Sequence, residues 1–162
     1  MNLNKILTIF IILMVLSISL SVVSADSSGP IDLGKITSSD MKIKDVSQKG
    51  SLPSTMSSSF SELYDVDFTA NFEIDISKMS DSDKKLLTKA VEDKNTSFIL
   101  NLTSNHDITV ELYNGADYSI DGNTLKINAD STYTSNDDSK DVTVRSIGLR
   151  SSDNQLFFAD MN

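Results

Sequence analysis

A mainly β fold, an antiparallel sandwich-like domain carrying one short helix, is what this chain predicts, on three observations. Val66, Phe68, Ala70, Phe72, Ile74 and Ile76 alternate without a break against Asp67, Thr69, Asn71, Glu73 and Asp75. That is the period-two signature of a strand with one buried and one wet face. Shorter apolar alternations recur through the C-terminal half, and Asn114-Gly115 and Asp121-Gly122 separate them with pairs that accept positive φ, as hairpin turns require.

Taken from the N-terminus, residues 1–25 have the order of a secretory signal. A basic step at Lys5 precedes an apolar run from Ile6 to Val23, and the small triplet Val23-Ser24-Ala25 stands before Asp26. Cleavage after Ala25 is expected. Left uncleaved, the 18 residues 6–23 reach the lower limit for a membrane-spanning helix, and they are the one membrane contact the sequence offers. Residues 26–62 hold 11 Ser and both prolines, Pro30 and Pro53, and read as a flexible stalk that lends one edge strand near 41–46. The globular domain is expected over 63–162.

Within that domain a helix is expected over about 80–94. Ser80 stands three residues before Asp83 as a capping signal, Leu86, Leu87, Ala90 and Val91 form the apolar stripe, and Lys89 and Lys94 suit the C-terminal end of the dipole. Strands then follow at 98–102, 108–112, 125–127, from 142, and at 156–158, making seven or eight with one helix. The rival architecture is an α+β sheet with the helix packed across one face. The C-terminal residues Phe158-Ala159-Asp160-Met161-Asn162 carry no hydrophobic tail or basic run, so no anchor is expected there.

Composition narrows the functional classes. The chain has 23 acidic and 14 basic residues, so losing Lys5 with the signal takes the net charge from −9 to −10. Such a surface repels phosphate backbones and anionic lipid, and nucleic acid is excluded as a natural partner. With no Cys, stability rests on packing rather than disulfides, and with no Trp a stacking platform for sugars is disfavoured. One His and no Cys leave structural zinc without ligands.

Four groups of residues could carry chemistry, each beside a plainer reading. His106 with Asp107 and a serine has the residue types of a hydrolytic triad, but no Gly-x-Ser-x-Gly elbow exists and an exposed turn histidine is the simpler account. Asp67, Glu73 and Asp75 share one strand face, as a carboxylate pair for glycoside hydrolysis would, although alternating charge also serves solubility. The acidic loop containing Asp137, Asp138 and Asp141 could offer oxygens to Ca2+, but it lacks EF-hand spacing and has Lys140 inside it. Asn95-Thr96-Ser97 and Asn101-Leu102-Thr103 are acceptor sequons for N-glycosylation at Asn95 and Asn101.

The signal, joined to a Cys-free chain rich in Asn, Asp, Ser, Ile and Lys, resembles the small exported proteins of methanogenic archaea, many of them adhesin-like or uncharacterised envelope proteins. The resemblance is one of composition along the whole chain. It carries no catalytic or binding residue, and the tandem repeats of larger adhesin-like proteins are missing. It implies a secreted or envelope location. The reading that results is an exported, non-enzymatic β-domain acting by surface contacts with a protein or glycan, with no catalytic residues and no cofactor assigned. A small extracellular hydrolase using carboxylates and a calcium-stabilised module are the alternatives.

Overall fold

A computed structural model describes residues 29–51 and 62–161. Nine strands and one helix follow in the order β1 (Ile31–Asp32), β2 (Lys35–Ser51), β3 (Glu62–Asp75), α1 (Asp81–Glu92), β4 (Ser97–Thr103), β5 (Asp107–Leu112), β6 (Ala116–Asp121), β7 (Thr124–Ser135), β8 (Thr143–Arg150) and β9 (Leu156–Asp160). They form two sheets: sheet A, in the order β1-β9-β8-β4-β5, and sheet B, in the order β2-β3-β7-β6. All neighbours are antiparallel except β1 and β9. The two sheets pack together as a sandwich, as the patterning predicts.

The alternation at 66–76 is the inner face of β3. Val66, Phe68, Ala70, Phe72 and Ile74 are buried, while Asp67, Thr69, Asn71 and Glu73 face out. From sheet A, Phe98, Leu100 and Leu102 of β4 meet them, and the rings of Phe72 and Phe98 lie 6.0 Å apart across the core. Burying side chains of this size supplies roughly 1.5–3 kcal/mol each relative to exposure.

Helix α1 begins at Ser80, whose hydroxyl accepts from the Asp83 amide at 3.1 Å and donates to the Asp83 carboxylate at 2.7 Å. Leu87 and Ala90 join the common core. Lys84 reaches Asn123 in the β6–β7 turn at 3.3 Å, and Lys89 reaches Asp153 in the β8–β9 turn at 3.4 Å. The helix therefore closes one end of the sandwich, in place of the rival arrangement across a sheet face.

Two sequence expectations need correction. Residues 31–32 and 35–51 are strand, not stalk: β1 lies on sheet A, Leu33 is fully buried, and β2 pairs with β3 along its whole length as the edge of sheet B. The strand expected near 41–46 lies inside it, at an edge. Register shifts fall between Ile36 and Ser38, Ile43 and Asp45, and Gln48 and Gly50. Each inserts one residue, so the inward positions Ile36, Met41, Ile43 and Val46 lose a constant period of two. That phase change, together with the Ser-rich composition, hid a 17-residue strand. Residues 1–28 and 52–61, which include the expected signal and the rest of the stalk, lie outside the described residues.

The second correction concerns Asn114-Gly115, which is a corner and not a hairpin turn: it carries the chain from β5 in sheet A to β6 in sheet B. Gly115 has φ +83°, and a Cβ there would stand 2.9 Å from the Asp130 carbonyl oxygen. Gly34 makes the matching corner from β1 to β2, with φ +108° and a Cβ position 2.4 Å from the Asp75 carbonyl oxygen. Both places need positive φ and no side chain. The hairpin expected at Asp121-Gly122 does form, between β6 and β7, with Gly122 and Asn123 as its two turn residues.

Candidate functional site

The outer face of sheet A carries an ordered set of side chains in four cross-strand rows. The ladders place Ser97 beside Arg150 and Leu156, Ile99 beside Glu111, Gly148 and Phe158, Asn101 beside Thr109, Ser146 and Asp160, and Thr103 beside Asp107 and Thr143. Polar contacts run along these rows. Thr109 donates its hydroxyl to Asn101 Oδ1 at 2.9 Å, and Asn101 Nδ2 donates to Ser146 Oγ at 2.8 Å. The chain of bonds thus crosses β5, β4 and β8.

Two ion pairs frame it. Arg145 donates to Asp107 at 3.2 Å, and Arg150 donates through Nε to Glu111 at 3.0 Å. The Ser97 hydroxyl, nearly fully buried, donates to the same Glu111 oxygen at 2.6 Å. That bond first, and then Arg150, hold Glu111 below the usual carboxylate range against the opposing effect of burial. Asp107 is held low by the Thr103 hydroxyl and next by Arg145. Arg145 and Arg150 are the only two arginines in the chain.

An open groove of about 880 Å³ runs over the half of this face nearer the β4–β5 hairpin, lined among others by Asn101, Asp107, Thr109, Arg145, Ser146 and Asp160. The other half sets the Glu111–Arg150 pair beside an apolar strip. Ile99 points outward and is still only 7 % exposed. Gly148 beside it has no side chain, and Leu156 Cδ1 and Ile99 Cβ each reach within 3.7 Å of the place a Cβ would take. Groove and apolar strip together give shape and hydrogen-bonding groups, with two of the three carboxylates matched by the arginines. That set suits recognition.

Sequence reasoning missed the arginine pairs. Arg145 and Arg150 are five residues apart, which in an even strand puts them on opposite faces. The register shift opposite Asn101 and Leu102 returns both to the outer face. The signal available was their being the only two arginines, both within one strand.

The other candidate residues are placed as follows. Asp137 lies at the opposite end of the sandwich from α1 and is a structural hub. Its side chain is 5 % exposed and accepts from the Ser139 amide at 2.9 Å, from Asn105 Nδ2 at 3.1 Å and from the Asn105 amide at 3.3 Å. Burial opposes its ionisation, but the Ser139 amide, the Ser104 hydroxyl and Asn105 outweigh it and hold the carboxyl below its ordinary value. Asp138 and Asp141 are exposed and join none of these bonds. Among the described residues no group of three or more His, Cys, Asp or Glu could hold a metal ion.

His106 stands in the β4–β5 turn, with Nδ1 3.9 Å from Asp137. The Asp137 carboxylate lies between the Ser104 hydroxyl and the imidazole, the reverse of the order that activates a nucleophile. Asp67, Glu73 and Asp75 belong to β3, on the outer side of sheet B. Asp67 accepts from Thr132 and Asp75 from the Ser77 amide. Six strand positions put Asp67 and Glu73 roughly 20 Å apart, beyond the reach of a carboxylate pair acting on one glycosidic bond. The depression on that face is lined by Asp40, Lys42, Thr69, Asn71, Asp117 and Asp130, among others, and by none of the three. Of the sequons, Asn95 is exposed in the turn after α1. Asn101 has its amide nitrogen engaged on Ser146, in the middle of the sheet.

The chain matches no protein-family model, no curated protein and no solved structure. Among the described residues no helix is long and apolar enough to cross a membrane.

Proposed function

We propose that the chain is an exported, non-enzymatic β-sandwich domain that acts by surface contacts in the cell envelope or extracellular space, with the outer face of sheet A as its contact surface. One observation carries this reading. Among the described residues that face combines a groove, cross-strand hydrogen bonding and an apolar strip, and both arginines of the chain are neutralised on it by Asp107 and Glu111. A near-neutral face on a strongly acidic chain is where a partner meets least electrostatic resistance. The export signal of residues 1–25 and the compositional resemblance to small archaeal envelope proteins support the location.

The test is retention of envelope material by immobilised protein, comparing Ser146→Lys on sheet A with Asn71→Lys on sheet B. A component held by the parent and by Asn71→Lys, and lost by Ser146→Lys, supports the reading. Equal loss in both variants, or loss only in Asn71→Lys, would remove sheet A from the account.

A further inference from the structure

We propose that a second copy of this chain extends sheet A by pairing with strand β5, edge to edge and antiparallel, about a two-fold axis at Val110. The argument begins with how the four sheet edges are protected. An unprotected strand edge presents a row of unpaired N–H and C=O groups, and stable monomers blunt such edges with bulges, charge, short length or a covering element. Strand β1 is only two residues long. Strand β2 has three bulges, and Lys44 and Lys49 sit in two of them. Strand β6 lies beside α1, and its Tyr118 hydroxyl donates to the Thr96 carbonyl just past the helix. Strand β5 has no bulge and no covering element, and its two charges, Asp107 and Glu111, are each matched by an arginine of β8. Its six residues pair with β4 without a shift, contain no Lys or Pro, and among the described residues its other edge has no strand beside it.

Register then selects the partner. Antiparallel neighbours place residues of the same face opposite one another. An axis at Thr109 would set Asp107 against Glu111 of the second copy, and an axis at Glu111 would set that carboxylate against itself. Like charges directly opposite destabilise a pair. The axis at Val110 avoids both. It places Ile108 opposite Leu112 and Val110 opposite Val110 on the core side, and on the outer side Thr109 opposite Glu111. Asp107 then faces Tyr113. Tyr113 is the most exposed large hydrophobic among the described residues, at 67 %, and stands one residue past the strand. Its hydroxyl already reaches Glu111 of its own chain, and its ring gains a neighbour in this register.

The absence of cysteine makes the test direct. Protein carrying Asp107→Cys is mixed with protein carrying Tyr113→Cys and oxidised. Opposed Cα atoms in an antiparallel pair lie about 4.5–5.5 Å apart, inside the range a disulfide accepts. The mixture is expected to give a disulfide-linked heterodimer and each variant alone almost none. Sedimentation of the unmodified protein is expected to show a concentration-dependent dimer, weakened about tenfold by Tyr113→Asp because the two-fold axis repeats the repulsion. A chain that stays monomeric at every concentration overturns the proposal, as does a dimer indifferent to Tyr113→Asp. Cross-linking of Asp107→Cys with itself overturns the register.

Discussion

On the outer face of sheet B, charge is abundant and loosely held. Lys42 pairs with Asp40 and Lys44 with Asp130, both largely exposed carboxylates, Lys49 pairs with the half-buried Asp65, and further carboxylates at Asp45, Asp67, Glu73 and Asp117 outnumber the lysines. On the outer face of sheet A, three carboxylates meet two arginines: Asp107 with Arg145 is exposed, Glu111 with Arg150 is partly covered and anchored by the Ser97 hydroxyl, and Asn101 links Thr109 to Ser146 across three strands. Lysines on flexible stems over exposed carboxylates give solubility and small, salt-sensitive stabilisation. Arginine held by a carboxylate that is itself anchored keeps a fixed geometry. The difference marks one face as solvent-facing cover and the other as a surface of defined shape.

The largest effect expected is one that removes both faces together. Phe98 on β4 meets Phe72 on β3 across the core, so Phe98→Ala should cost about 3–5 kcal/mol. In urea unfolding, a loss well under 2 kcal/mol would mean that the sheets are not locked through this contact. Next comes a change specific to sheet A. A Cβ at Gly148 would lie 2.9 Å from the Phe157 carbonyl oxygen on β9. Gly148→Ala should therefore cost about 1–3 kcal/mol by overpacking. Ser119→Ala on the outer side of sheet B should stay within about 0.5 kcal/mol. Equal costs at the two positions would erase the contrast in rigidity between the faces.

What the sequence displays and what it hides follow the same line. Strand β3 was legible from Val66 to Asp75 because an inner strand without bulges keeps its period. The start of α1 was legible from Ser80 and Asp83, whose capping bonds are local. Strand β2 was not, because three bulges change its phase and its serines fill an edge that needs few apolar residues. The Asn114-Gly115 corner announced a reversal but not which sheet the chain would join, since that depends on packing between distant strands. The candidate site was the least legible part. It arises from pairs such as Glu111 with Arg150 and Asn101 with Ser146, separated by 39 and 45 residues. Only the register of β4 between β5 and β8 brings them together.

Asp137 tests whether the end of the sandwich beneath the groove is held as firmly as the face itself. Removing the buried Asp137 carboxylate with Asp137→Ala takes the acceptor from the exposed Asn105 and half-buried Ser139 donors, and losing these bonds to a charged group should cost about 1–3 kcal/mol. The pH dependence follows from the direction of its shift. A carboxyl held below its unfolded value stabilises the fold fully above that unfolded value, about pH 4. The contribution is lost as pH falls through the lower, folded value. The stability gap between the parent and Asp137→Asn should then be widest near neutrality and shrink in acid below pH 4. A gap that stays constant from neutral pH into acid would show that ionisation of Asp137 contributes nothing.

The smallest effect is the one that sharpens the comparison most. Lys44 on β2 and Arg150 on β8 each bridge to a carboxylate, at 2.8 Å and 3.0 Å. Judged by distance alone the sheet B pair is the better one. Its partner Asp130 is largely exposed, however, whereas Glu111 is three-quarters covered and anchored by Ser97. Exposed pairs contribute a few tenths of a kcal/mol and are screened within a Debye length of about 8 Å at physiological ionic strength. Lys44→Ala should therefore lower stability only slightly in dilute buffer, and the difference should vanish in about 1 M salt, where that length falls to about 3 Å. Arg150→Ala should cost more, on the order of 1 kcal/mol, and keep most of that cost in salt, because Glu111 stays partly buried without its cation. Chemical unfolding at two salt concentrations separates the cases. If both variants respond to salt alike, the anchoring by Ser97 does not distinguish the faces, and the sheet A grid is only another set of surface charges.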